Sequence, residues 1–175
     1  MHDNNNNDEL TDLVDANNQV IRQEWRSVVY EKKQFHLLRG VWLFIKNDKG
    51  QLWIARRSPN KKALPLGLDG SAVGLVGAGE TYEQAIERET FEELGIVLTK
   101  DNYITLGYVF APLHIQGHVK VYEMCSNETP QFNRDDIVEG FWLYPHEVID
   151  LCKKDAFMKP SLPRIVTLFY ISDLF

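Results

Sequence analysis

One segment, residues 74–96 with the sequence GLVGAGETYEQAIERETFEELGI, constrains the fold more than any other part of the chain. Glycines at 74, 77 and 79 lead into it, and Gly95 closes it. Thr81 followed by Gln84 matches a capping box at a helix start, and a glycine is the typical residue just beyond a helix end. The pattern therefore predicts a glycine-rich loop that runs into a helix between Thr81 and Gly95.

Acidic residues are concentrated on this predicted helix. Between Glu80 and Glu93 there are six acids and one base, a net charge of −5 (six minus one), in a chain whose formal net charge is −6. Glu89, Glu92 and Glu93 stand at i, i+3 and i+4, so their Cβ atoms lie ~5–6 Å apart on one face. Such like-charge pairs destabilise a bare helix by ~0.2–0.5 kcal/mol each.

A bound hard dication would offset that repulsion. Mg²⁺ prefers oxygen ligands and is commonly held by a few carboxylates together with substrate phosphates. A solvated acidic face is the alternative interpretation. The agreement between glycine loop, helix cap, lone arginine and acid spacing favours a metal site.

These positions resemble the Nudix box, Gx5Ex7REUxEExGU, in which U is an aliphatic residue. Gly74, Glu80, Arg88-Glu89, Glu92-Glu93 and Gly95-Ile96 stand at the matching positions. Thr90 departs from the pattern because it occupies an aliphatic position, and we expect it to face the core. The resemblance implies an α/β Nudix fold, a mixed β-sheet sandwiched between α-helices, and Mg²⁺-dependent hydrolysis of a small-molecule diphosphate, with Mn²⁺ as a possible substitute.

The resemblance also implies roles for individual residues. Glu92 and Glu93 would hold the metal with help from the Val73 or Gly74 carbonyl, and Glu89 would bind metal or deprotonate the attacking water. Arg88 would orient a glutamate through a fork-shaped hydrogen bond. Glu80 is assigned to substrate binding, and we also expect it to support the loop at the helix entrance. We choose Asp136, rather than Asp135 or Glu139, as a further metal ligand from a late loop. Exposed loop charges are the alternative for these three late acids.

A second resemblance covers residues 36–62. The sequence HLLRGVWLF…KGQLWIARRSPNKK is similar to the N-terminal half of isopentenyl diphosphate isomerases, a branch with the Nudix fold. The resemblance implies that Arg57 and Lys61 contact the diphosphate, which suits a basic pair opposite an acidic metal site. Ordinary surface charges are the alternative.

The isomerase reaction itself is disfavoured. It needs a cysteine and a metal-binding histidine where this chain has Val73 and Leu75. His36 matches one isomerase metal histidine but lacks its partner, and we expect it to be a packed, hydrogen-bonded side chain. We therefore predict a hydrolase in an isomerase-like subgroup, with an isomerase-like enzyme or a catalytically silent nucleotide-sensing module as alternatives.

Hydrophobic and turn patterns predict the remaining elements. The apolar run 39–46 is typical of a buried strand, residues 51–57 form its return strand, and 58–71 read as a loop. Further strands are expected at 73–76, 103–110, 117–125 and 138–143, and helices at 145–153 and 162–171. Residues 1–8 form a predicted disordered tail, 9–35 an N-terminal hairpin extension whose 25–33 stretch is helix or loop, and 36–175 the Nudix domain.

Composition excludes several classes. The chain has 175 residues, 44% hydrophobic and 25% charged, with a pI of about 5.4. Such an acidic balance argues against a nucleic-acid polymer or an anionic membrane as partner. We expect a cytoplasmic protein, a possible homodimer, with Cys125 and Cys152 as reduced thiols. Pro112 stands where ADP-ribose-hydrolysing Nudix enzymes often carry a proline, but a turn proline is the alternative, so the substrate stays open.

Overall fold

The computed structural model of the protein describes residues 8–110, 117–154 and 156–171. Nearly all of the predicted tail, residues 1–7, and Pro112 lie outside the described residues. The strands are β1 (Leu10–Val14), β2 (Val20–Trp25), β3 (Arg39–Lys46), β4 (Leu52–Arg57), β5 (Leu68–Asp69), β6 (Ala72–Leu75), β7 (Ile104–Phe110), β8 (His118–Cys125) and β9 (Ile137–Leu143). The helices are α1 (Arg26–Glu31), α2 (Tyr82–Leu94), α3 (Pro145–Lys153) and α4 (Ser161–Tyr170), with a 3₁₀ turn at Phe35–Leu37.

Strand β3 is the centre of a seven-stranded mixed sheet. Five of its strands follow the order β5-β4-β3-β8-β7. Strand β3 runs parallel to β8 and antiparallel to β6 and β4. Its side chains alternate between the two faces of the sheet: Val41, Leu43 and Ile45 belong to one apolar cluster, and Trp42 and Phe44 to the other. The apolar run at 39–46 is continuous because β3 is buried on both faces of the sheet, as the sequence predicts for a buried strand.

Helices cover both faces of this sheet. The first cluster includes Ala85, Ile86 and Leu94 of α2, and the second includes Val148 of α3 and Leu162 of α4. The predicted α/β/α sandwich is confirmed. The predicted loop 58–71 contains one short strand, β5, which pairs with β4; two residues are too few to show a period-two pattern in sequence.

The N-terminal hairpin pairs β1 with β2 and leads into α1, so the helix is the correct choice at 25–33. Leu13, Val29 and Leu38 form a third, smaller buried cluster beneath it. His36 is solvent-exposed in the 3₁₀ turn, and our expectation of a packed histidine was therefore wrong. In the described ranges, no helix is long and apolar enough to cross a membrane.

Helix α2 begins and ends as its sequence predicts. The Thr81 hydroxyl accepts from the Gln84 amide while the Gln84 side chain accepts from the Thr81 amide, and Gly95 takes the left-handed conformation with φ of 65°. Its buried residues, Ala85, Ile86, Thr90, Glu93 and Leu94, follow the helical repeat. Two of them are polar, and both face the sheet.

Thr90 lies in the core, as the sequence predicts. It is fully buried, and its Oγ1 has no hydrogen-bond partner. An unpaired hydroxyl in an apolar environment costs ~1–3 kcal/mol, which a valine of nearly the same shape would avoid.

Replacing Thr90 with valine is therefore expected to raise the free energy of unfolding by about 1 kcal/mol. Urea denaturation followed by circular dichroism measures this change. Thr90→Ser is the matched control: it keeps the hydroxyl and removes the methyl group, so it should lower stability. A valine variant no more stable than the wild type would mean that the hydroxyl is satisfied in solution.

Candidate active site

Strand β6 and helix α2 bring the Nudix-box glutamates against the sheet. The Glu89 carboxylate packs directly on Gly74, so closely that a Cβ at position 74 would overlap it. Gly74 is thus required for this close approach rather than for an unusual backbone conformation. Burial raises the pKa of the Glu89 carboxyl above its ordinary value, although Arg88 opposes that shift.

Glu93 lies one helical turn further along α2 and is almost completely buried, with 9% of its surface exposed. Its Oε2 accepts a hydrogen bond from the Val73 amide at 3.1 Å. Burial, followed by the neighbouring Glu89 charge, raises the pKa of Glu93 to about 8. Among the described residues no lysine, arginine or histidine forms an ion pair with Glu93.

Arg88 holds the entrance loop and the acidic face together. Its Nε and Nη2 donate to the two carboxylate oxygens of Glu80 at 2.8 and 2.9 Å, the fork-shaped geometry that the sequence suggests. Nη2 also donates to the Leu75 carbonyl at 3.0 Å, and Nη1 to Glu89 at 2.8 Å and Glu92 at 3.2 Å. The bonds to Glu80 are the main cause of a raised pKa for Arg88.

Glu80 has a role that differs from its predicted contact with substrate. Its Oε2 also accepts the Gly77 amide at 2.8 Å, and the residue does not line the cleft described below. The Arg88 bonds lower the pKa of its carboxyl. With both oxygens engaged, Glu80 anchors the loop, and its geometry does not support direct substrate binding.

The carboxylates at this site offer the oxygen ligands that a hard cation prefers, but they do not converge on one point as a complete set of ligands. Glu92 is the most exposed of the three acids, with 54% of its side chain accessible to solvent. In the part of the chain that the structure describes, no group of three or more His, Cys, Asp or Glu side chains converges as a metal site. Arg88 and the Val73 amide occupy carboxylate oxygens that a cation would use. An all-oxygen donor set with an unpaired buried carboxylate nevertheless suits Mg²⁺ or Mn²⁺.

Basic side chains face this acidic wall. Arg57 Nη1 and Lys159 Nζ donate to the buried Asp69 carboxylate at 3.1 and 3.2 Å, and Lys61 forms an ion pair with Asp136. Arg57, Lys61 and Lys159 all line the same cleft as the glutamates. Arg57 and Lys61 were predicted for this place.

The three late acids, Asp135, Asp136 and Glu139, lie in different places relative to the cleft. Asp136 lies in the cleft, where its Oδ2 also accepts from Asn133 at 2.8 Å. Glu139 pairs with Arg56 at 3.3 Å and lies outside the cleft, and Asp135 lines a neighbouring cavity. The geometry therefore favours Asp136 among the three.

The cleft has a volume of about 470 Å³ and contains Val73, Gly74 and Leu75 beside the three glutamates. A second cavity of about 410 Å³ adjoins it. The two share five lining residues: Arg26, Tyr30, Arg57, Lys61 and Asp136. They form one elongated cleft, and the N-terminal extension supplies part of its wall.

Sequence reasoning missed several of the lining residues, among them Lys159, Arg26 and Tyr30. Lys159 belongs to no motif, and its place depends on the turn between α3 and α4, where its amide bonds to Leu68 O and its ammonium group lies 5.1 Å from the centre of the Trp42 ring. Arg26 and Tyr30 lie on α1, a six-residue helix whose existence the sequence left undecided. Nothing local in the sequence connects them to the box.

Comparison with known proteins agrees with this fold. The NUDIX domain family matches residues 36–165. Over 163 residues the chain is 40% identical to an uncharacterized Nudix hydrolase of Nostoc sp., covering 93% of this chain and 96% of that one. A Nudix hydrolase of Deinococcus radiodurans is 36% identical over 165 residues, with 93% and 95% covered. The chain belongs to the Nudix family and is a Nudix hydrolase.

Solved structures support the same conclusion. The crystal structure of DR0079 from Deinococcus radiodurans superposes with a TM-score of 0.85 at 36% identity, covering 93% of this chain and 99% of that one. A MutT protein from Methanosarcina mazei has a TM-score of 0.64 at 18% identity, covering 79% and 96%, and shares the fold. Nudix hydrolases use divalent cations and act on small molecules.

Gly74→Ala is expected to displace the Glu89 carboxylate, because the new methyl group would occupy its position. We expect a folded protein whose turnover falls about 100-fold, the order of loss that follows a displacement of a catalytic group by ~1 Å. Steady-state kinetics measures the loss. In a Glu89→Ala background the same glycine change should have little further effect, and full additivity would contradict the proposed contact.

The buried Glu93 carboxyl predicts a pH dependence of stability in metal-free protein. Its folded pKa of about 8 exceeds its ordinary value of 4.5, so folding favours the protonated form. The stabilising contribution is fully present below the unfolded value and is lost as the pH rises through about 8. Glu93→Gln should therefore be more stable than the wild type at alkaline pH, and the difference should shrink towards acid.

Urea denaturation in chelator at several pH values tests this expectation. Glu92→Gln is the matched control, because Glu92 is exposed and its substitution should leave the pH profile unchanged. A Glu93→Gln variant that is less stable than the wild type throughout would show that the ionised carboxylate is tolerated in the fold.

Proposed function

We propose that the protein is a Mg²⁺-dependent hydrolase of diphosphates that carry a nucleoside on at least one phosphate, acting by attack of water. The observation that carries the proposal is the Glu93 carboxylate, which is buried beside Glu89 and forms no ion pair with any of the described residues. It lines a cleft that Arg57, Lys61 and Lys159 also line. A buried carboxylate without a counter-ion is costly, and a bound cation would offset that cost.

Glu89, Glu92, Glu93 and Asp136 are the residues we assign to the metal, with the Gly74 carbonyl at the edge of the same cleft. Mn²⁺ is a possible substitute. When bound, the cation would neutralise phosphate charge and lower the pKa of a coordinated water. Arg88 keeps Glu89 and Glu92 in place by donating to both.

We assign Glu89 as the group that takes the proton from the attacking water. Its pKa is raised by burial, which brings a carboxyl closer to the range that suits a general base at neutral pH. Gly74 leaves the space in which this carboxylate lies. The chemistry otherwise asks mainly for orientation and charge neutralisation, as phosphoryl transfer does in general.

The phosphates would be held by Arg57, Lys61 and Lys159. Asp69 orients two of these cations, since Arg57 and Lys159 donate to the same oxygen of its carboxylate. An incoming phosphate would compete with Asp136 for Lys61. The adjoining cavity beside Arg26 and Tyr30 gives room for the organic group attached to the diphosphate.

The alternatives make different demands on the same cleft. Val73 and Leu75, at the cysteine and histidine positions of the isomerases, both line it and offer no group that could move a proton. A silent sensing module would bind ligand without turnover, whereas the acids and Arg88 are complete here. Both observations favour hydrolysis. The cytoplasmic location and a homodimer through the N-terminal hairpin stay predictions.

A substrate panel with Mg²⁺ and then Mn²⁺ tests the proposal. It includes ADP-ribose, nucleotide sugars, dinucleoside polyphosphates, nucleoside triphosphates and prenyl diphosphates, with products separated by chromatography. We expect metal-dependent release of a monophosphate product from one class. Glu93→Gln should lose most of kcat, at least about 100-fold, while remaining folded.

Three outcomes would contradict parts of this proposal. Near-wild-type turnover by Glu93→Gln would remove Glu93 from the metal site. Tight binding of one class without any product, in the presence of metal, would favour the sensing module. Conversion of a prenyl diphosphate into its double-bond isomer would favour an isomerase.

A further inference from the structure

Asp12, on strand β1 of the N-terminal hairpin, is a buried charged residue outside the catalytic cleft. Its carboxylate is 6% exposed. Oδ2 accepts hydrogen bonds from Arg39 Nη2 and from the Gly79 amide, each at 2.9 Å, and Oδ1 accepts from Gln23 Nε2 at 2.9 Å. One carboxylate thus joins the hairpin, the start of β3 and the glycine loop that precedes α2.

Strand β1 makes three contacts with this glycine loop. Gly77 pairs with Thr11 as an isolated antiparallel bridge, the Ala78 amide donates to the Leu10 carbonyl at 2.9 Å, and the Gly79 amide donates to Asp12. The first two are backbone contacts and persist in any side-chain variant. The Asp12 carboxylate is the contact of these three that a substitution can remove.

The loop leads directly to the catalytic face. Gly79 adjoins Glu80, whose carboxylate accepts the Gly77 amide and the Arg88 fork. Arg88 in turn donates to Glu89 at 2.8 Å. A shift of the Gly79 amide would therefore move Glu80, and through Arg88 the carboxylate assigned to the attacking water. Gly79 has φ of +75°, a backbone conformation that a residue with a side chain would adopt only with strain.

We propose that Asp12 is a positioning residue for the hydrolytic reaction, acting through Gly79, Glu80 and Arg88 on Glu89. The proposal rests on the proposed function for its kinetic part. The family match begins at residue 36, so Asp12 lies in the segment before it. The N-terminal hairpin is on this account a working part of the site rather than an appendage.

Substitution of Asp12 alone would mix two effects. Asp12→Ala would leave Arg39 buried and unpaired, with an Nε that already lacks a partner, and the loss of a buried ion-pair partner can unfold a domain. The comparison is therefore made in an Arg39→Met background. Asp12→Asn/Arg39→Met keeps an oxygen that can accept from the Gly79 amide and leaves no buried charge unpaired, whereas Asp12→Ala/Arg39→Met removes that acceptor.

We expect kcat of Asp12→Ala/Arg39→Met to lie ~10- to 100-fold below that of Asp12→Asn/Arg39→Met, with KM little changed. The asparagine variant should keep the higher turnover, because its amide oxygen can still accept from Gly79. Asp15→Ala is the matched control in the same hairpin. Asp15 accepts the Asn17 and Gln19 amides but does not touch the loop, so its kcat should stay near that of the wild type.

Two further measurements do not depend on turnover. Hydrogen exchange should show faster exchange at residues 77–80 in Asp12→Ala/Arg39→Met than in Asp12→Asn/Arg39→Met. Mg²⁺ titrations followed by thermal unfolding should show weaker stabilisation by the ion in the alanine variant. If Asp12 has a purely structural role, its loss would lower the melting temperature but would change neither the exchange rate at residues 77–80 nor the stabilisation by Mg²⁺.

Equal kcat and equal loop exchange in Asp12→Asn/Arg39→Met and Asp12→Ala/Arg39→Met would overturn the proposal. If wild-type protein turns over none of the panel substrates, the proposed function fails on its own. Loop exchange and Mg²⁺-dependent stabilisation would then still decide whether Asp12 positions the acidic face. The two failures are thus distinguishable.

Discussion

The guanidinium of Arg88 is the interaction on which the rest of the site depends. It donates to Glu80 in the loop, to the Leu75 carbonyl at the end of β6, and to Glu89 and Glu92 on α2. Three separate parts of the box are thereby held in one arrangement. The planar fork of arginine suits this task, because it offers five donors in fixed directions. A lysine could supply the charge but not the geometry.

Burial and repulsion at this site act against stability and in favour of function. Burial raises the pKa of both Glu89 and Glu93, and the neighbouring Glu89 charge raises the pKa of Glu93 further. Such perturbed carboxyls concentrate at functional sites. Two of the basic residues that line the cleft are themselves paired, because the buried Asp69 carboxylate forms ion pairs with both Arg57 and Lys159. Among the described residues, Glu89 and Glu92 share Arg88, whereas Glu93 forms no ion pair.

The N-terminal extension is joined to the site in two ways. Arg26 and Tyr30 of α1 line both connected cavities, and Asp12 of β1 bonds to the glycine loop. His118 on β8 adds a further connection, since its Nε2 lies 2.8 Å from the Asp15 carbonyl. Burial lowers the pKa of His118. Acidification therefore favours the charged form in the unfolded chain and weakens this part of the fold as the pH falls below the ordinary histidine pKa.

The sequence alone determined what depends on neighbours along the chain. The helix from Thr81 to Gly95, its cap, the shared face of the three glutamates and the strand at 39–46 all follow from local spacing and hydrophobic period. The tertiary structure decided what depends on distant contacts: the position of Asp136 rather than Glu139 in the cleft, the exposure of His36, and the presence of Lys159 beside Asp69. Each of these follows from how separate elements pack, and residues 90 positions apart, as Asp69 and Lys159 are, leave no periodic signal for a single sequence to reveal.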